Sequence, residues 1–186
     1  MAGAKELNEL LIALRQAFES GNVMKMRKLS NSAAKRAAIS DDATIVAIAL
    51  VGYCLHKMST KQHIVISKKW QGIQQGIISQ IDKAVEALEE NNLPKFEKIL
   101  EGIASSIKKH DHQLGNYVQD IYDKARVKYA STAYSLGLSL SQAAALTGAN
   151  KKDLLHYIGA TRLHDRDVVT LDIEKRLEKL RKSLGE

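Results

Sequence analysis

The chain is poor in the residues that interrupt, cross-link or punctuate a fold. It has one proline, Pro94, in 186 residues, so few of its helices can be broken from within. It has one cysteine, Cys54, which excludes a disulfide framework within the chain and fits a reducing compartment. Cys54 sits in an apolar run, where a small buried hydrophobe is the ordinary reading and a nucleophile the rare one. Aromatic residues make up 5% of the chain, while Ala, Leu, Ile and Lys dominate, a mix that favours an all-α fold. The longest apolar run, Ala43 to Leu55, has 13 residues, whereas a membrane span needs about 20, so it reads as a helix buried on most sides and no membrane partner is expected. The N-terminus lacks a basic segment followed by an apolar stretch, so no secretory signal is expected and the cytoplasm is the expected location.

Several chemistries are missing as well. The sequence has no phosphate-cradling glycine loop, nucleophile elbow or dinucleotide fingerprint, and its acidic residues spread along helix faces, so neither an enzyme nor a cofactor is expected. The run His110-Asp111-His112 invites a metal reading. Residues two apart diverge on a helix or turn, and no cysteine or second carboxylate cluster has ligand spacing, so no metal is expected.

What is present is helical periodicity almost throughout. Leu7, Leu10, Leu11, Leu14 and Phe18 form one stripe, ended at Ser20-Gly21-Asn22 with Gly21 as the C-cap candidate. A second helix is expected from Val23 to Ala38. Ser40 is then expected to cap an apolar helix over 41–58, with Asp41 and Asp42 in its first turn. The β-branched segment His63 to Ser67 is ambiguous, and a long helix is expected from Thr60 or Ile66 to Asn91. Pro94 at the first helical position opens the next helix, and another is expected from Leu114 to Leu136.

A repeat is suggested at an offset of 70. Residues 17–30 and 87–100 match at nine of fourteen positions, with Ala17/Ala87, Glu19/Glu89, Asn22/Asn92, Lys25/Lys95 and Lys28/Lys98 identical, and Asp41 and Asp111 each falling where a next helix would open. Two amphipathic hairpins can resemble each other without common origin. If the match is a duplication, residues 1 to about 125 are two related three-helix units in one bundle, an arrangement suited to holding a partner or an effector.

The net charge of +7, from 28 basic and 21 acidic residues, permits a polyanionic partner without requiring one. Residues 124–186 carry 12 basic and 7 acidic residues, and so most of the excess. The second helix is basic too, with Lys25, Arg27, Lys28, Lys35 and Arg36 and no acid between Asn22 and Ser40, which reads as a solvated face or as a surface for RNA.

The most structured local pattern is Ser139 to Gly159. Ser139 with Gln142 forms a capping box opening a helix over Leu140–Thr147, Gly148 tolerates the positive φ that ends it, and Asn150 caps a helix over Lys151–Ile158. A connection this short makes the two helices cross steeply. The spacing of Ala144, Gly148 and Leu154, a small residue with a glycine four later and an aliphatic six beyond that, resembles the helix-turn-helix superfamily, and the stretch looks like the units of archaeal and antitoxin-type regulators.

The resemblance implies a second helix that enters the major groove of DNA. Asn150, Lys151, Lys152 and His156 would then contact bases and phosphates. Ser141 and Gln142 would touch the backbone, with Arg162 and Arg166 reaching phosphates from beyond. Asp153 and the absence of arginine on the second helix depart from a strong DNA reader. Leu155, at a position that often faces the groove, suits a protein partner instead. The last segment, with Ile173, Leu177, Leu180 and Leu184 in heptad spacing, would form a homodimer seam or fold back on its own chain.

The expected architecture is therefore all-α. A helical bundle spans 1–113, a helix-turn-helix unit with its supporting helix spans 114–166, and an amphipathic helix spans 167–186. The expected function is a DNA-binding regulator. The alternatives are a protein-interaction adaptor that docks through the same unit and an RNA-associated helical protein.

Overall fold

The computed structural model describes residues 3–113 and 121–160, which are all-helical: α1 (Ala4–Glu19), α2 (Val23–Ser40), α3 (Ala43–Ser59), α4 (Gln62–Val65), α5 (Trp70–Glu89), α6 (Leu93–Gln113), α7 (Ile121–Ser135), α8 (Leu140–Thr147) and α9 (Lys151–Ala160). Among the described residues no strand forms, and no helix is long and apolar enough to cross a membrane. The helical bundle rests on α3, whose Ile45, Val46, Ile48, Ala49, Leu50, Val51, Cys54, Leu55 and Met58 are all buried, so the apolar run of the sequence is a central helix covered on most sides.

The faces turned to α3 explain how closely its neighbours approach. The inner face of α2 is built from Ser30, Ala33, Ala34, Ala37 and Ala38 after Met26, and α3 meets it with Gly52. A β-carbon at Gly52 would collide with the Ser30 hydroxyl and lie 3.0 Å from Leu14 Cδ1. Of the expected α1 stripe, Leu7, Leu11, Leu14 and Phe18 are buried, Leu10 is half-buried, and Ala17 joins the buried face. The edge of the Phe18 ring meets Trp70 of α5 with centroids 5.9 Å apart.

The two hairpins of the suggested repeat share their turn. Asn22 N–H donates to the Ala17 carbonyl and Asn92 N–H to the Ala87 carbonyl, both at 2.8 Å. Asn22 Oδ1 accepts from Lys25 N at 2.9 Å, and Asn92 Oδ1 from Lys95 N at 3.1 Å. Gly21 and Asn91 both hold positive φ, 64° and 54°. The likeness stops beyond the second helix of each hairpin. Asp111 falls inside α6 and opens no new helix, and α7 packs on α2 and α3 of the first hairpin's side.

Several boundaries differ from expectation. The cap of α3 is Asp42, whose Oδ1 accepts from Thr44 N and Ile45 N, while Ser40 ends α2 with its hydroxyl on the Arg36 carbonyl. Asp41 between them takes the left-handed conformation at φ 55°, which ends one helix and frees the next residue to start another. The expected long helix from Thr60 or Ile66 is interrupted: α4 is one turn that buries Ile64, and α5 begins only at Trp70. Pro94 stands second in α6, because Asn92 is its cap. The expected start of α7 at Leu114 lies outside the described residues.

Two apolar clusters result. The larger joins α1, α2, α3, α5 and α6 with Ile121, Ala125 and Tyr129 of α7. The smaller joins Ala38 at the end of α2 with Ala130 and Ala133 of α7, Ala143 and Ala144 of α8, and Leu154 of α9. Thus α7 belongs to both, and it seats α8 and α9 on the bundle through alanines that allow close approach.

Candidate nucleic-acid interface

The α8–α9 pair is built by its caps. Ser139 Oγ accepts from Gln142 N at 3.2 Å and Ser139 N donates to Gln142 Oε1 at 3.0 Å, the complete capping box. At Gly148, with φ 68°, the N–H of the turn reaches back to the Ala144 carbonyl. This is a position where an L side chain is strained, and the Arg126 guanidinium of α7 closes it from below, 3.4 Å from where a β-carbon would sit. Asn150 Oδ1 then accepts from Lys152 N at 2.8 Å and from Asp153 N at 3.5 Å, so three residues connect the two helices.

Packing fixes which way α9 faces. Leu154 is fully buried against Ala143, Ala144 and α7, and Thr147 is buried with its hydroxyl on the Ala143 carbonyl. With Leu154 inward, Lys151, Lys152, Asp153, Leu155 and His156 are exposed, as are Ser141, Gln142 and Asn150. Among the described residues neither Lys151 nor Lys152 is paired with a carboxylate. Leu155 is 55% exposed, a large apolar side chain on the outward face of α9.

The caps limit the base contact expected of Asn150 and agree with the backbone contact expected of Gln142. Reading adenine through an amide side chain needs its oxygen and its nitrogen together. Asn150 Oδ1 is committed to the start of α9, and Gln142 Oε1 to the start of α8. Each side chain therefore offers its NH2 group as a donor, which suits a phosphate oxygen better than an adenine edge.

Arg162 and Arg166 lie outside the described residues, as do Ile173, Leu177, Leu180 and Leu184. The backbone of residues 110–112 is the end of α6, and the side chains of that run are also outside the described part. Among the described residues no group of three His, Cys, Asp or Glu side chains could hold a metal ion. The basic face of α2 divides: Lys25, Arg27, Lys28 and Lys35 are exposed, while Arg36 pairs with Glu6 at 2.6 Å. The bundle carries a cleft of about 300 Å³ lined by Ala4, Leu7, Asp42, Thr44, Leu88, Asn91 and Leu93, where the first helix meets the turn between α5 and α6.

A group of residues with no local sequence signal gathers where α2, α3 and α7 meet. Lys57 and Lys128 ammoniums stand 5.6 Å and 4.6 Å from the centre of the Tyr53 ring, and Lys128 is also 5.8 Å from the Tyr129 ring. His56 Nδ1 donates to the Val23 carbonyl at 3.1 Å. Burial holds His56 and Lys128 below their ordinary pKa values, and the nearby positive charges, Arg27 among them, push both further down.

Comparison with known protein families, with curated proteins and with solved structures finds no match to this chain.

Proposed function

We propose that this protein is a DNA-binding regulator whose α8–α9 pair acts as a helix-turn-helix, with α9 presented to the major groove. The observation that carries the reading is the face of α9. Burial of Leu154 turns Lys151 and Lys152 outward at the amino end of a capped helix, and His156 outward one turn further along, without carboxylate partners among the described residues. Lysines and helix-terminal amides there anchor phosphates, and the amide donors of Asn150 and Gln142 add to the same task. With few groups left to read base edges, most of the affinity is electrostatic. The heptad residues Ile173, Leu177, Leu180 and Leu184 would pair two copies on a two-fold site, and the bundle would receive an effector or protein partner.

Binding to duplex DNA of the wild type and of a Lys151→Ala/Lys152→Ala variant, followed across salt concentration, tests the proposal. The wild type should weaken steeply with salt as counterions are released. The variant should bind about tenfold more weakly at low salt, a loss of about 1.4 kcal/mol. Its slope of log affinity against log salt should be flatter by roughly two. Equal and salt-insensitive binding by both proteins would refute it. RNA of the same length serves as the comparison ligand.

The exposed Leu155 favours a second reading, in which the same unit docks a protein partner. A partner whose binding is abolished by Leu155→Asp and unaffected by loss of the two lysines would support that reading against DNA.

A further inference from the structure

We propose that Lys57 and Lys128, which stand over the Tyr53 ring, and Arg27 of the adjoining α2 form a binding site for a phosphate group where α2, α3 and α7 meet. The site borders α9 through Tyr157, which lies near Tyr53, and uses none of the outward residues Lys151, Lys152 and His156.

The geometry rests on three helices. The Val23 carbonyl accepts from His56 of α3, and two turns further along α2 the Asn31 side-chain oxygen lies 3.5 Å from the Tyr129 hydroxyl of α7. Arg27 is the residue midway between these two contacts, one helical turn from each, so α2 presents it between α3 and α7. Lys57 follows Tyr53 by one turn on α3, and Lys128 reaches the same ring from α7. No carboxylate among the described residues pairs with any of the three.

Partly buried cations without a counter-charge are costly, and their positions say what relieves the cost. Lys57 and Lys128 are half-buried, and burial and the neighbouring positive charges make Lys128 easier to deprotonate than a free lysine. The Tyr53 ring attracts both ammoniums through its quadrupole without neutralising them. Most surface clusters of this kind are interleaved with Asp or Glu. Here an aromatic ring takes the place a carboxylate would fill, and the charge stays available to an incoming anion. A single carboxylate would bring one negative charge. A phosphate group brings up to about two at neutral pH, with three acceptor oxygens to meet one guanidinium and two ammoniums.

The phosphate could belong to a nucleic-acid backbone or to a small phosphorylated ligand, and the two sources separate by experiment. The full chain is titrated with inorganic pyrophosphate at low ionic strength, following the amide signals of residues 27, 53, 57 and 128 and the melting temperature. Saturable shifts at these positions and a rise in melting temperature are expected. Lys128→Gln and Arg27→Gln should each weaken binding at least about tenfold, a loss of about 1.4 kcal/mol, and abolish the thermal gain. Both variants remove a repelled cation and should fold as well as the wild type, and a Lys151→Ala/Lys152→Ala variant should bind pyrophosphate like the wild type. If Lys128→Gln also weakens duplex binding and pyrophosphate competes with the duplex, the natural source is the nucleic-acid backbone. If duplex binding is unchanged while pyrophosphate binding is lost, it is a small phosphorylated ligand. Absence of pyrophosphate binding by the wild type, or binding that survives both substitutions, would overturn the proposal whatever the outcome at α9.

Discussion

Replacement of Phe18 by alanine is expected to remove about 3–5 kcal/mol of folding stability, a large share of the roughly 5–15 kcal/mol that holds an ordinary domain folded. Phe18 is the largest fully buried side chain of α1 and meets Trp70 edge to face. Its backbone carbonyl also accepts from Gln74 Nε2 of α5 at 2.9 Å, so the residue ties the end of the first helix to the fifth by both ring and backbone. Alanine would leave a void between two helices whose separation is set by other contacts, and the void could close only in part. Phe18→Leu, which keeps most of the volume, should cost well under half as much. The check is the urea midpoint of each variant at unchanged slope. A loss below about 1.5 kcal/mol for the alanine variant would mean that α1 and α5 close over the void, and that the packing at this end is looser than described.

Gly52→Val should be nearly as damaging, for the opposite reason. At Gly52 even a single β-carbon meets the Ser30 hydroxyl and the Leu14 methyls. The hydroxyl cannot swing aside freely, because it donates to the Met26 carbonyl at 2.8 Å. Overpacking of this kind costs about 1–3 kcal/mol or more, and a branched side chain sits at the harsh end of that range. Alanine at the same position regains about 1 kcal/mol of helix propensity and should be milder. The two residues should also couple: Ser30→Ala removes the colliding oxygen and is expected to restore part of the stability lost in Gly52→Val. Purely additive losses would place the collision elsewhere.

The parts of this fold that were legible in the sequence are those decided within a few residues. The Ser139–Gln142 box, the positive φ at Gly148, the Asn22 and Asn92 turns and the burial of the α1 stripe all follow from local chemistry, and the structure has them. Where neighbouring residues were equally qualified, the local signal could not choose. Ser40, Asp41 and Asp42 are all good caps, and the choice of Asp42 depends on Asp41 taking the left-handed conformation. The same holds at the start of α6, where Asn92 as cap moves Pro94 one place along. The break between α4 and α5 is decided by burial of Ile64, a tertiary effect without a periodic signature.

The candidate site divides in the same way. That Lys151, Lys152 and His156 face outward together follows from the inward register of Leu154, which the spacing with Ala144 and Gly148 already contained. The commitment of the Asn150 and Gln142 oxygens to the caps was implicit in the cap assignments; it leaves Asn150 its amide donor, better suited to a phosphate than to a base edge, and agrees with the backbone contact expected of Gln142. Of the cluster of Arg27, Lys57 and Lys128, the sequence marked only Arg27, within the basic run of α2; the grouping left no trace, because its members are far apart in the chain and meet only when α2, α3 and α7 pack.

Backbone amide signals recorded while the full chain is titrated with a short duplex at low salt test most directly the proposal that the exposed face of α9 meets duplex DNA. Perturbations are expected to concentrate from Gly148 to His156 and at Ser141 and Gln142, reversed by moderate salt, with α5 and α6 unaffected. A saturating duplex that leaves those residues unperturbed, or that perturbs only the bundle, would contradict the proposal.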